Sequence, residues 1–213
     1  GYLHEVPATG WRQQNPHMHL IEAALAVYEA SKDDRFAALA HEIAQIFKTR
    51  FFDVKSRTLA EFFTEDLKRA PGEVGRTIEP GHQFEWAWIL MNCQRLLGID
   101  LAAEIRALTD FAERHGVDQA TGLTFNTVRD DGRPIDKGSR TWPNTERMKG
   151  HIARWELDGI DPESALASSS RIVLDRHLAT TVPGLWVEAF DAQRVSLSKA
   201  VPASTLYHAF LAF

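Results

Sequence analysis

The sequence lacks cysteine pairs, long apolar runs and an excess of positive charge, and each absence excludes a class of protein. Its single cysteine, Cys93, excludes an intrachain disulfide and a cysteine-rich zinc site. No apolar stretch of about 18 residues is present for a transmembrane helix, and no signal-peptide pattern opens the chain. The 24 Lys+Arg against 29 Asp+Glu leave a net charge of -5, which provides no basic face for nucleic acid or an anionic membrane. We therefore expect a cytoplasmic protein whose partner is neither nucleic acid nor a membrane.

What the chain contains is a repeat of about sixty residues. Four residues at equivalent positions, Glu22, Glu85, Glu146 and His208, follow one another at intervals of 63, 61 and 62 residues. Apolar residues at helical spacing predict two helices in each unit, followed by a short strand-like segment. The predicted helices are 16–31, 34–50, 82–97, 101–115, 143–157, 161–178 and 204–213, and the strand-like segments are 59–64, 122–127 and 184–189.

This repeat predicts an all-α fold of the α/α toroid type, with an inner ring of helices enclosed by an outer ring. The first helix of each pair is the more apolar and aromatic one, as in 82–97, whereas the second is amphipathic, as in 34–50. A single unit cannot bury its apolar face alone and requires its neighbours. An open helical solenoid is the alternative that the periodicity leaves open.

Histidine and glutamate lie three residues apart near the starts of two inner helices, as His19–Glu22 and His82–Glu85, so each pair shares a helix face. A carboxylate beside an imidazole fixes its tautomer and raises its basicity, which suits general acid–base catalysis near neutral pH. A metal site is a second interpretation. Its signal is weak, because the chain has no HxxxH or HExxH motif, and the spacing of His17 and His19 points them apart.

Tryptophan is frequent for this length, and Trp142, Trp86 and Trp88 are expected near the cavity. Flat aromatic faces beside carboxylates suit a sugar ring. At least one of Trp86 and Trp88 should belong to the core, because their spacing places them on different helix faces. A glycoside hydrolase with Glu85 and Glu146 as its two carboxylates is a further alternative. The remaining histidines are assigned to outer helices or loops: His4, His41, His115, His151 and His177.

Four segments resemble, in order and spacing, motifs of the N-acylglucosamine 2-epimerase family, which includes mannose isomerases and cellobiose 2-epimerases. They are RQQNPHMHLIEA (12–23), EPGHQFEWAW (79–88), RTWPNTE (140–146) and PASTLYHAF (202–210). The resemblance implies an (α/α)6 barrel with short β-hairpins at one end, of which about half to two-thirds would be present. Because members of the family are about twice as long, we expect residues 1–213 to form a partial barrel domain. Its N-terminal half, with a substrate-holding arginine, would be missing.

The resemblance also implies a site that needs neither a cofactor nor a metal ion. Matched motif by motif, His82 and His208 would be the acid/base pair, and His19 would be the third catalytic histidine. The substrate-binding residues would be Asn15, Glu22, Glu85, Arg140, Trp142, Asn144 and Glu146.

We expect an aldose–ketose isomerase of the mannose/fructose type that works through a cis-enediol, because RTWPNTE and PGHQFEWAW look closer to that branch. An N-acylglucosamine or cellobiose-type 2-epimerase is the second candidate. A non-catalytic carbohydrate-binding or interaction protein on the same toroid is the alternative from another class. The partner would be a small sugar, unphosphorylated because no basic cluster stands out, and a homodimer is the assembly to test.

Overall fold

The computed structural model describes residues 2–213, and seven α-helices form nearly half of this part of the chain. The odd-numbered helices form a first row, since α1 contacts α3, α3 contacts α5, and α5 contacts α7. We call this the inner row: α1 (Asn15–Ser31), α3 (Pro80–Leu97), α5 (Thr141–Asp158) and α7 (Ser204–Ala212). The even-numbered helices form an outer row: α2 (Asp34–Ile46), α4 (Ala102–His115) and α6 (Glu163–Ile172).

Each outer helix packs against the inner helix before it, and α2 and α4 also contact the inner helix that follows. Helices α2 and α6 continue into π-helical turns at Phe47–Phe51 and Val173–Leu178. The helix–helix order predicted from the repeat is therefore confirmed along the chain. The described helices form the arc of a helical repeat.

Short antiparallel strands connect each outer helix to the next inner helix. The pairs are β1–β4, β2–β3, β5–β6–β7 and β8–β9. Since β1, β5 and β8 lead almost directly into α1, α3 and α5, the hairpins lie at the N-terminal ends of the inner row. Their bounds are β1 (Arg12–Gln13), β2 (Phe52–Asp53), β3 (Thr58–Leu59), β4 (Phe62–Phe63), β5 (Thr77–Ile78), β6 (Thr127–Arg129), β7 (Pro134–Asp136), β8 (Ser139–Arg140) and β9 (Ala189–Phe190).

Two of the three predicted strand-like segments lie almost entirely outside strands, and the third, 59–64, is divided between β3 and β4. The segment 122–127 meets β6 only at its last residue, because the Thr124 amide donates to the side-chain oxygen of Asn144 at 2.9 Å instead of to a strand. The segment 184–189 likewise meets β9 only at its end. There the Val187 amide donates to the carbonyl of His177 at 2.7 Å. Both segments are held by helix residues, which period-two alternation does not reveal.

The helix boundaries follow local chemistry. Helix α3 ends at Gly98, which adopts a left-handed φ of 69° and donates its N–H to the Gln94 carbonyl. The Asp33 side chain caps α2 by accepting the Arg35 amide at 3.0 Å. At α1 the predicted cap, Asn15, is the first helical residue, and the cap position falls on Gln14.

The main hydrophobic core lies where α1, α2 and α3 meet. Trp86 of α3 is fully buried, and its ring lies 4.6 Å from that of Phe47. On the other side, α3 and α5 approach so closely that a Cβ at Gly150 would lie 2.7 Å from the Phe84 ring. Helix α3 is thus buried on nearly every face, as its composition predicts.

No helix within residues 2–213 combines the length and the apolar character needed to cross a bilayer.

Candidate active site

A cavity of about 490 Å³ opens at the N-terminal ends of the inner helices, beside the hairpins. Every inner helix contributes to its wall within its first turns. Seven residues singled out from the sequence line it: Asn15, His19, His82, Glu85, Arg140, Trp142 and His208.

His82 is held at one wall of the cavity by a carboxylate from a hairpin. Its Nδ1 lies 2.8 Å from Oε2 of Glu61 and 3.9 Å from Oε2 of Glu79. Burial by itself would lower the pKa of His82, but the Glu61 and Glu79 carboxylates outweigh it and raise that pKa to about 10. His82 is therefore an imidazolium at neutral pH. Since Glu61 occupies Nδ1, Nε2 is the nitrogen available to a substrate.

His208 has the same arrangement on another helix. Its Nδ1 lies 2.7 Å from Oε1 of Glu146, and the other oxygen of that carboxylate lies 2.7 Å from Nζ of Lys149. Glu146 and Lys149 are both almost fully buried. Two histidines from different helices are thus each oriented by a buried carboxylate, and Nε2 is the nitrogen left for the substrate in both.

Trp142 lies between these histidines. Its ring centroid is 4.9 Å from that of His82 and 5.3 Å from that of His208. The guanidinium of Arg140 lies 5.1 Å from the same ring and donates to Oε2 of Glu79 at 2.9 Å. Trp142 fits here because the second residue of α3 is glycine: a Cβ on Gly81 would lie 2.5 Å from the indole.

His19, whose side chain is partly exposed, lies beside the buried Glu85 in the same cavity. Glu85 is fully buried, neither of its carboxylate oxygens has a hydrogen-bond partner, and Oε1 lies 3.9 Å from Nδ1 of both His19 and His208. Burial, reinforced by Glu146, raises the pKa of Glu85 well above its ordinary value. Burial, with His208 and His82 nearby, lowers the pKa of His19 to about 4. His19 is thus a neutral imidazole.

Glu22 lies behind His19 and outside this cavity. It lines an adjoining cavity of about 510 Å³ between α1, α3 and α7, and it accepts a hydrogen bond from the Tyr207 hydroxyl. The carboxylates of Glu22 and Glu85 and the ring of His19 offer atoms within 4.8 Å of one another. Glu22 therefore adjoins the site through His19 and not through the cavity wall.

Asn144, which the resemblance places among the substrate-binding residues, is buried and does not line the cavity. Its amide nitrogen donates to Oγ of Ser139 at 3.0 Å and to the Arg140 carbonyl at 2.7 Å, while its oxygen accepts the Thr124 amide. These bonds join two connecting segments to α5, and the same amide nitrogen also lies 3.3 Å from Nε2 of His177. Asn144 consequently fixes the start of the helix that carries Trp142.

Glu61 and Gln14 are the main residues that the sequence analysis missed. Gln14 donates its amide to Oε2 of Glu61 at 3.0 Å and accepts the indole N–H of Trp86 at 2.6 Å. A chain of hydrogen bonds therefore runs from the core residue Trp86 through Gln14 and Glu61 to His82. The sequence does contain an indication of Glu61, because it is the single acidic residue in the apolar strand-like segment 59–64. An acidic residue between short strands is ordinarily assigned to a surface turn.

Of the histidines assigned to outer helices or loops, His151 has another position, whereas His177 keeps its outer position but is buried. His151 lies on the inner helix α5, 3.5 Å from Glu113. His177, on the turn after α6, is fully buried, and its Nδ1 lies 3.0 Å from the Thr141 hydroxyl and 2.8 Å from the Val187 carbonyl. Burial lowers the pKa of His177. It therefore joins the last hairpin to the start of α5 as a neutral ring.

Two clusters besides that of Glu22 bring donor atoms close enough to share a cation. They are Glu61–Glu79–His82 and Glu85–Glu146–His208. In both clusters the Nδ1 nitrogen is within 2.8 Å of a carboxylate oxygen, and the second cluster already contains the Lys149 ammonium. This geometry favours hydrogen-bonded acid–base pairs over metal ligation.

The fold and the cavity define a helical repeat protein in which histidines and carboxylates surround a cavity at one end of the inner helices. The chain belongs to the N-acylglucosamine 2-epimerase (GlcNAc 2-epimerase) family, since the sequence model of that family matches residues 3–212. The resemblance found in the four motifs is thereby confirmed.

Three comparisons place the chain within this family. It is 40% identical over 200 residues to mannose-6-phosphate isomerase of Rhizobium meliloti (strain 1021), covering 91% of this chain and 52% of that protein. It is 26% identical over 191 residues to cellobiose 2-epimerase of Bacteroides fragilis, covering 86% and 47%. The crystal structure of a D-mannose isomerase has the same fold, with a TM-score of 0.84 at 19% identity, covering 96% of this chain and 56% of that one. The chain thus spans about half the length of these relatives.

Proposed function

We propose that the chain carries the acid–base half of a cofactor-independent sugar isomerase that interconverts an aldose and a ketose of the mannose/fructose type. One observation carries this proposal. His82 and His208, from different inner helices, each place an Nδ1 against a buried carboxylate on either side of Trp142, in one cavity. Such a pair can give a proton to one atom of a bound sugar and take one from its neighbour.

The proposed reaction begins when a histidine protonates the ring oxygen of the sugar and the hemiacetal opens. A base then takes the proton from C2, the C–H electron pair becomes the C1–C2 double bond, and the carbonyl oxygen accepts a proton. The product of this step is a cis-enediol. Return of a proton to C1, with loss of the O2 proton, gives the ketose. The indole face of Trp142 supports the apolar face of the sugar during these transfers.

The charge of the cavity favours an unphosphorylated sugar. Carboxylates of Glu61, Glu79 and Glu188 line it, while Arg140 is already paired with Glu79. A phosphate would face more negative than positive side chains on this wall. We expect kcat/KM for mannose to exceed that for mannose 6-phosphate by at least about tenfold, and the reverse preference would contradict this assignment.

A 2-epimerase is the second candidate, supported by the likeness to cellobiose 2-epimerase and by the two histidines on separate helices. Incubation of the full-length protein with mannose in D2O, followed by NMR, distinguishes the two. Fructose as the main product supports the isomerase. Deuterium at C2 in aldoses alone would replace it with the epimerase. EDTA should leave turnover unchanged, and loss of activity with the chelator would favour the metal interpretation.

Single variants separate an enzyme from a carbohydrate-binding protein on the same fold. His82→Asn and His208→Asn should each lower kcat by about 10²–10⁴-fold, the usual contribution of a positioned acid or base. The matched control is His41→Asn, on the exposed side of α2. Sugar turnover that survives both site changes would exclude the proposed histidine chemistry.

A further inference from the structure

Lys149 is a buried cation that has no role in the reaction proposed above. It is 1% exposed, and it lies three residues after Glu146 on the same face of α5. Among residues 2–213 it is the only lysine or arginine that forms an ion pair with Glu146 or Glu85. A buried ammonium is costly unless its environment compensates it. Its retention at this point needs an explanation.

The carboxylate that Lys149 contacts is the one that orients His208. Lys149 and His208 each lie 2.7 Å from a different oxygen of Glu146, so this carboxylate is shared between two partners. The ammonium also lies 5.9 Å from the ring centroid of Tyr207, the neighbour of His208. Lys149 therefore contacts both the carboxylate that orients His208 and the tyrosine next to His208 on α7.

The corresponding carboxylate beside His82 has different partners. Glu61 accepts the neutral amide of Gln14 and the backbone amide of Glu79, and no lysine or arginine of the described chain pairs with it. The two histidine–glutamate pairs thus have similar geometry but different charge. Besides its histidine, the carboxylate at His82 has only neutral partners, whereas the carboxylate at His208 also has an ammonium on its far side.

We propose that Lys149 is a positioning residue that divides the two catalytic roles, so that His208 acts as the base and His82 as the acid. The inference rests on the proposed function. By offsetting the charge of Glu146, Lys149 weakens the hold of that carboxylate on a His208 proton. His208 Nε2 then takes the C2 proton, its C–H electron pair forms the C1–C2 double bond, and the carbonyl oxygen receives its proton from His82.

Other ionisable groups face the Lys149–Glu146–His208 set from each packed element. Glu85 comes from α3, His19 and Glu22 come from α1, and Tyr207 comes from α7. Burial opposes the charge on Lys149, but Glu146 and then Glu85 raise its pKa above the ordinary value. Lys149 therefore stays charged across the working pH range, and it supplies a constant positive charge to the set.

The test measures proton loss from His208 directly. In the full-length protein with isotope-labelled histidine, the ring signal of His208 is assigned by its absence in His208→Asn and is followed by NMR from pH 4 to 10. Lys149→Met should move the protonation midpoint of His208 upward by about one pH unit or more, because one positive charge is lost from the set. Lys149→Arg keeps the charge and should restore the midpoint to within about 0.3 unit.

Turnover supplies a second measurement. In Lys149→Met the acidic limb of the kcat/KM profile should move in the same direction, and kcat at pH 7 should fall about tenfold while KM changes less than about threefold. Lys48→Met, which removes a surface ion pair with Glu104, should change neither quantity. If Lys149→Met does not fold by circular dichroism, Lys149→Gln removes the same charge while keeping a hydrogen-bond donor.

A His208 midpoint that stays unchanged in the neutral variants would overturn the proposal. An upward shift in a protein that does not isomerise mannose would leave the tuning by Lys149 in place and reject the proposed function instead. The two failures are therefore distinguishable, because the NMR titration needs no substrate.

Discussion

Nδ1 of His82 lies 2.8 Å from Oε2 of Glu61, so a residue of the hairpin region sets the protonation of a residue on an inner helix. This pairing joins the two structural layers of the site, the connecting strands and the helix row. The charge of the His82 ring therefore depends on the Glu61 side chain, about twenty residues earlier in the chain.

Glu61→Gln should remove the acid from the site at neutral pH. Without the Glu61 charge, burial dominates at His82, and its pKa should fall from about 10 towards or below its ordinary value near 6.5. We expect kcat at pH 8 to fall by about 10²-fold, with histidine NMR as the direct measurement. Glu156→Gln, at an exposed position of α5, is the matched control. A His82 ring that stays protonated at pH 8 in Glu61→Gln would refute this account.

The same pair should make stability depend on pH above neutrality. The folded pKa of His82, about 10, is higher than the unfolded value of about 6.5, so the folded state binds the proton more tightly. Its contribution to the free energy of unfolding is complete below pH 6.5 and is lost as the pH rises towards 10. Urea unfolding at pH 6, 8 and 10 should therefore show a steeper decline for the wild type than for His82→Asn. Parallel declines would contradict the prediction.

Trp86→Phe tests the hydrogen-bond chain from the core to the site. The change removes the indole donor and leaves the buried oxygen of Gln14 without a partner, which should cost about 1–3 kcal/mol of the free energy of unfolding. Urea denaturation gives this value, and kcat should also fall because Gln14 then holds Glu61 less firmly. Trp88→Phe, on a different face of α3, is the control. Equal losses in both variants would show that volume alone decides the effect.

Asn144→Ala distinguishes anchoring from substrate contact. The variant loses hydrogen bonds to Ser139, to the Arg140 carbonyl and to the Thr124 amide, so the free energy of unfolding should fall by about 2–4 kcal/mol. Well below the melting temperature, KM should change less than about threefold. A large rise in KM with unchanged stability would return Asn144 to the substrate-binding surface.

Periodicity was sufficient to predict the helices, because each helix buries one apolar face. The apolar pattern also stops at helix-ending residues such as Gly98. It also brought His82, His208 and Glu85 to one place, since equivalent repeat positions occupy equivalent ends of the inner helices. Glu61 was out of reach, because the pairing of a hairpin residue with a helix residue depends on strand register and loop path. Neither is encoded in a local pattern.

Lys149 shows another limit of the sequence. A lysine three residues after a glutamate on a helix is ordinarily a solvent-exposed ion pair worth a few tenths of a kcal/mol. Only the packing of α3 and α7 against α5 removes water from this pair, and that change of environment turns a common motif into a buried charge.

Any negative charge that develops on a bound sugar would lie close to the N-terminal ends of the inner helices. All four inner helices begin at the cavity, with Asn15, His82, Trp142 and Ser204 within their first three residues. Each helix start carries the positive end of its backbone dipole, equivalent to roughly half an elementary charge. The peptide backbone itself therefore supplies a positive field at the mouth of a pocket lined by four glutamates and a single arginine. An oxyanion formed there would be stabilised by atoms that no side-chain substitution removes.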